Sequence, residues 1–149
     1  MDAIILAGGK GTRVQEIAEG LPKPMMPVCG FPFIDLLVNQ IGQSGLFQNL
    51  IISTGYEAEK IRTHFGKKRY PFQIKFSHEE SPLGTGGALL KAFEQTSSSL
   101  ICLLNGDSYV EIDWKDFVKK QSETQRSVLV LTRVDHPGRY GLVKTDPHT

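Results

Sequence analysis

An excess of charge of either sign is missing from this sequence: 17 Lys and Arg stand against 16 Asp and Glu, a net charge of +1. A surface that grips a polyanion carries a basic excess, so nucleic acid is excluded as a main partner. Any anion this chain binds is small and held locally. Cysteine is scarce as well. Cys29 and Cys102 are both flanked by apolar residues (PVCGF and LICLLN), which excludes a disulfide scaffold. Both are expected to act as small hydrophobes in a reducing cytoplasm. No apolar run approaches the roughly 20 residues of a membrane-spanning helix. The start MDAIILAGG has neither the basic leader nor the long apolar core of a signal peptide. A cytoplasmic protein without a membrane partner is therefore expected. Repeats and low-complexity tracts are absent, and His64, His78, His136 and His148 show no metal-ligand spacing.

What is present is alternation. With 149 residues, 40% of them hydrophobic, the chain suits one domain with a real core. Short apolar runs at 3–7 (AIILA), 50–53 (LIIS) and 100–104 (LICLL) read as strands covered on both faces. Phe72, Ile74 and Phe76 alternate as in a half-buried strand, and Ser127–Val134 is a β-branched stretch expected to form another. Helical spacing recurs between them. It links Phe33, Leu36, Leu37 and Ile41 (stopped by Gly42 or Gly45), and Ala58, Ile61 and Phe65 (stopped by Gly66). Further stripes run through Leu89, Leu90, Ala92 and Phe93, and through Trp114, Phe117 and Val118 with Asp113 as N-cap. This order implies an α/β sandwich with a mostly parallel sheet. Ligands bind such sheets at the carboxyl ends of the strands, where LAGGKGTR (6–13) and LLNGDS (103–108) fall.

The glycine loop matches neither a Walker A loop nor the dinucleotide fingerprint, because Lys10 precedes Gly11 and no glycine follows Gly11 at the spacing the latter needs. Glycines at 8, 9 and 11 let backbone N–H groups approach a phosphate, and Arg13 adds a charge-assisted fork. A tight surface turn explains the same residues equally well. In LPKPMMPV (21–28), prolines at 22, 24 and 27 exclude a helix and present Lys23 on a stiff extended loop. Asp107, after an apolar strand, suits either Mg²⁺ or an ordinary turn. Glu79 and Glu80 are adjacent carboxylates of equal chemistry. A carboxylate accepts only, so it complements the two adjacent donors of guanine better than the single N–H of uracil.

Taken together, LAGGKGTR, PKPMMPV, SPLGTGGAL (81–89), NGDS (105–108) and RYGLV (139–143) resemble the sugar-1-phosphate nucleotidyltransferases over essentially the whole chain. Among them the sequence is most similar to guanylyltransferases acting on D-glycero-D-manno-heptose 1-phosphate or mannose 1-phosphate. The resemblance implies a Rossmann-like three-layer sandwich whose central sheet is mostly parallel, or mixed. It implies that nucleoside triphosphate, with GTP favoured, and sugar 1-phosphate yield pyrophosphate and a sugar nucleotide for lipopolysaccharide or capsule. Leu6, Ala7, Gly8, Gly9, Gly11, Thr12, Arg13, Lys23, Glu79, Gly84 and Thr85 would bind the nucleotide, and Asn105 and Gly141 the sugar. By the same resemblance Arg13 faces the triphosphate, Lys23 bridges the reacting phosphates and Asp107 holds Mg²⁺, while Lys10 is only a loop residue. Val14 and Ser108 depart from the family's usual leucine and threonine.

Relatives carry a second aspartate downstream, so residues 1–149 are expected to be the nucleotide-binding part of a longer catalytic domain. Two alternatives remain: uridylyl transfer to an amino-sugar or N-acetylmuramate 1-phosphate, and nucleotide binding without catalysis. Self-association is left open.

Overall fold

The apolar run after Met1 becomes strand β1 (Asp2–Leu6), and Ala3, Ile4 and Ile5 are wholly buried because both of its faces are covered. The computed structural model describes residues 1–9, 11, 20–136, 138 and 141–145. The chain divides into two compact units, Met1–Glu111 and Ile112–Thr149.

The first unit is built on a four-stranded sheet. β1 pairs in parallel with β4 (Asn49–Thr54) on one side and with β6 (Ile101–Asn105) on the other. β5 (Gln73–His78) extends it beyond β4, giving the order β5-β4-β1-β6, wholly parallel among the described residues. Helices α1 (Phe33–Ser44) and α2 (Ala58–Gly66) connect β1 to β4 and β4 to β5. Helix α3 (Gly84–Phe93) carries the chain back across the sheet to β6. Right-handed crossovers put α1 and α2 on one face and α3 on the other, because the direction of travel reverses after β5. The packing agrees: Ile4 and Ile51, register partners, cluster with Ala92 of α3. The alternate residues Ile5 and Ile52 serve the opposite face, where α1 buries Ile34, Leu37, Val38 and Ile41. The three-layer α/β sandwich implied by the sequence is the observed architecture.

Local chemistry explains the boundaries. Helix α1 stops at Gly45, which takes the left-handed conformation at φ 67° that a helix C-terminus favours. The proline-rich segment is not wholly extended: Lys23–Met25 forms one 3-10 turn. Pro22 caps it and Pro24 sits in its first positions, where a missing N–H breaks no bond. Strands β2 (Pro27–Val28) and β3 (Phe31–Pro32) pair antiparallel as a small hairpin apart from the main sheet. Its tip is Cys29 and Gly30, both at positive φ. The expectation that Cys29 is a buried hydrophobe is thus corrected, because turn geometry exposes its side chain. Cys102 is half-buried, and both thiols are free.

In the second unit α4 (Trp114–Thr124) starts as expected, with the Asp113 carboxylate accepting from the N–H groups of Lys115 and Asp116. Trp114 is buried, and Phe117 meets it edge-on at 6.4 Å. The strand expected over Ser127–Val134 does not form. A strand must satisfy its backbone against a neighbour, and no strand pairs with this segment among the described residues. Leu129, Val130, Leu131 and Val134 are exposed. No helix among the described residues is long and apolar enough to cross a membrane.

Candidate active site

The chain lays β4 and β5 to one side of β1, then returns to place β6 on the other, so the direction of strand order reverses at β1. A crevice opens at such a reversal, at the carboxyl ends of the strands. It is a cavity of about 640 Å³. Leu6 enters it from the end of β1 and Ala7, Gly8, Gly9 and Gly11 after it, Lys23 from the 3-10 turn, Glu79 after β5, Gly84 and Thr85 from the start of α3, Asn105 from the end of β6 and Asp107 after it. Pro24, Pro82 and Ala88 line it too, without having been anticipated. Lys10, Thr12, Arg13, Val14 and Tyr140 lie outside the described residues. Gly141 lies in the second unit and is exposed.

Close backbone contact draws the strand ends together. The Gly106 N–H donates to the Leu6 carbonyl at 2.9 Å, and a Cβ at residue 106 would stand 2.6 Å from that oxygen. Only glycine allows β1 and the turn after β6 to approach this closely. Asp107 follows directly. Its Oδ2 accepts from Lys23 Nζ at 2.7 Å across 84 residues of sequence, and its Oδ1 accepts from the Ser108 hydroxyl at 3.2 Å. The Lys23 hydrogen bond is the main influence holding the Asp107 carboxyl below its ordinary range, against the opposing effect of partial burial. Both side chains remain about 40% exposed. The pair is therefore open to ligands and to water.

Glu79 enters the crevice and Glu80 does not. The Glu79 N–H donates to the Thr54 carbonyl at 2.7 Å, which carries the β4–β5 ladder past its end. Its Oε1 accepts from the Ser53 hydroxyl and its Oε2 from the Leu83 N–H, both at 3.0 Å. A Cβ on Gly8 would lie 2.5 Å from Oε1, so the first glycine of the loop makes room for this carboxylate. Sequence reasoning missed Ser53, although a hydroxyl ending the run LII is a visible polar break.

No group of three or more His, Cys, Asp or Glu side chains that could hold a metal ion occurs among the described residues. Asp107 supplies one hard anionic oxygen donor beside the Asn105 amide. That donor set fits Mg²⁺, which takes one or two carboxylates and completes its shell with water and phosphate oxygens. His64 lies away from this crevice, with Nε2 2.6 Å from Oδ1 of buried Asp35.

A parallel Rossmann-like sheet with a glycine-edged crevice at its switch point defines an α/β protein with its candidate ligand site at the carboxyl ends of the strands. The chain matches the Nucleotidyl transferase family over residues 2–149 and belongs to it. It is 37% identical over 146 residues to the D-glycero-alpha-D-manno-heptose 1-phosphate guanylyltransferase of Aneurinibacillus thermoaerophilus, covering 97% of this chain and 63% of that protein. It is 33% identical over 148 residues to the mannose-1-phosphate guanylyltransferase of Mycobacterium tuberculosis, covering 98% of this chain and 41% of that protein. The crystal structure of HddC from Yersinia pseudotuberculosis complexed with GMP-PN superposes with a TM-score of 0.72 at 36% identity, covering 80% of this chain and 53% of that one. The chain thus spans less than two thirds of the length of these relatives.

Proposed function

We propose that the chain is the nucleotide-binding part of a guanylyltransferase that joins GTP to a heptose- or mannose-type sugar 1-phosphate. The observation that carries this reading is one crevice containing a glycine loop, a Lys–Asp pair and an anchored carboxylate. In the reaction a sugar 1-phosphate oxygen attacks the α-phosphorus, the bond between that phosphorus and the bridging oxygen breaks, and pyrophosphate departs. Every reactant is an anion, so the protein's work is neutralisation and alignment. The loop N–H groups, with Arg13, receive the triphosphate. Lys23 lies between the two reacting phosphates, carrying charge without donating a proton. Asp107 would hold Mg²⁺, which neutralises phosphate charge when bound. Asn105 and Gly141 would serve the sugar, and Gly84 and Thr85 the base.

Glu79 supports the choice of base. A carboxylate has about four acceptor positions. Ser53 and Leu83 take one on each oxygen, which leaves a pair suited to the adjacent N1–H and 2-amino donors of guanine. The names of the heptose 1-phosphate and mannose-1-phosphate relatives agree with this choice. A triphosphate substrate and two free cysteines suit the cytoplasm.

Pyrophosphate release, measured with each of four nucleoside triphosphates against a panel of sugar 1-phosphates, tests the reading. GTP with a heptose or mannose 1-phosphate should be fastest, and Arg13→Ala should cut the rate sharply. Faster turnover of UTP would overturn the role of Glu79 and favour the uridylyl alternative. Tight GTP binding without release from any pair would leave nucleotide binding alone.

A further inference from the structure

We propose that Ser53 is a positioning residue that sets base selectivity by fixing the Glu79 carboxylate. This rests on the reading of Glu79 as the group that faces guanine. Ser53 is fully buried near the end of β4, between its register partners Leu6 on β1 and Ser77 on β5. Its carbonyl accepts from the Ala7 N–H at 2.9 Å, so its backbone is tied to the start of the glycine loop. A buried hydroxyl in an otherwise apolar run is costly unless it is bonded. Its bond goes to Glu79 Oε1 at 3.0 Å.

The carboxylate is therefore held from two unlike sides. Ser53 grips Oε1 from the rigid sheet, while the Leu83 N–H grips Oε2 from the loop leading into α3. Gly8 closes a third side, since any Cβ there would collide with Oε1. A carboxylate fixed in this way presents its remaining acceptor positions in one orientation, and fixed orientation is what separates two adjacent donors from one. Without the Ser53 hydroxyl, Oε1 loses its tie to the sheet and the carboxylate is held through Oε2 alone. Guanine recognition should then weaken, while binding of the triphosphate moiety is untouched.

Calorimetric titration of the full chain with GTP and with UTP, in the absence of sugar phosphate, needs no turnover and tests this directly. Ser53→Ala should weaken GTP binding about 5- to 10-fold, the scale of the net contribution of one ordinary hydrogen bond, and change UTP binding less than about twofold. In a Glu79→Ala background the same substitution should have no further effect on GTP. Should Ser53→Ala not fold by circular dichroism, Ser53→Cys, nearly the same size but a weak donor, is read in the same way. Equal weakening of both nucleotides, or no weakening of either, overturns the positioning role. A wild-type chain that binds UTP as tightly as GTP overturns the guanine reading, and this proposal with it. A wild-type GTP preference that Ser53→Ala leaves undiminished overturns this proposal alone.

Discussion

Two aspartates stand at opposite ends of the sheet, and both are more acidic than usual. Asp2 opens β1 with no exposed surface. Its Oδ2 accepts from the N–H groups of Ser97 at 2.7 Å and Ser98 at 3.2 Å, and from the Ser97 hydroxyl at 3.4 Å. Its Oδ1 accepts from the Asn49 amide at 2.9 Å and the Ser98 hydroxyl at 2.8 Å. Burial alone would raise its pKa, but these donors outweigh it and bring the value down to about 2. Asp107 follows β6, is about 40% exposed, and owes its acidity mainly to Lys23. A depressed carboxylate pKa therefore does not mark a site by itself. The difference lies in what is left over. Donors of its own fold use up the acceptor capacity of Asp2, whereas Asp107 keeps a face toward a cavity and shares a cation that a phosphate could claim.

The comparison predicts opposite phenotypes. Asp107→Ala should lower pyrophosphate release by about two to three orders of magnitude, the scale of losing one preorganised electrostatic group. Its unfolding free energy should stay within about 1 kcal/mol of wild type, because the ion pair it removes is half-exposed. Urea titration and the release assay on one preparation check both halves. If stability fell with activity, the pair would be a structural bolt. Asp2→Ala should do the reverse. It strands the Ser97 and Ser98 N–H groups and the Asn49 amide, and should cost about 3 kcal/mol of stability in the same titration. GTP affinity of the folded fraction should be unchanged. A loss of affinity would show that the two ends of the sheet are coupled.

The central strands were legible because a parallel strand buried on both faces carries few polar residues, so AIIL and LII stand out. LICLL was expected to be covered likewise, but β6 lies at the edge of the described sheet and Leu103 is exposed. The crevice was legible only from the motifs taken together, because the glycine loop by itself reads equally well as a tight surface turn. Contacts that depend on register were not. Ser53 aligns with Ser77, and Glu79 lies two residues further on with the same parity, so Glu79 rather than Glu80 meets the Ser53 hydroxyl. No spacing within 79–80 contains that fact. The Lys23–Asp107 pair joins a proline-rich turn to a strand end 84 residues away, which the resemblance implied only as two separate roles. Ser127–Val134 misled for a related reason: β-branched composition states what a strand would like, and pairing decides whether one forms.

Acid provides the finest test of the contrast. The Asp2 carboxyl titrates at about 2 in the folded protein against an ordinary 3.8, so between these values the unfolded chain binds more protons than the folded one. Stability then rises with pH through that window. The contribution is fully present above the unfolded value and is lost as pH falls through 3.8 toward 2. A shift of nearly two pKa units corresponds to about 2 kcal/mol. Asp2→Asn carries no proton in this range. The difference in unfolding free energy between wild type and that variant should therefore shrink by about 2 kcal/mol between pH 5 and pH 2. A difference that stayed flat would mean that the serine and asparagine donors hold Asp2 no more tightly as an anion than as an acid. The distinction between a carboxylate satisfied by its own fold and one held ready for a ligand would then have to rest on exposure alone.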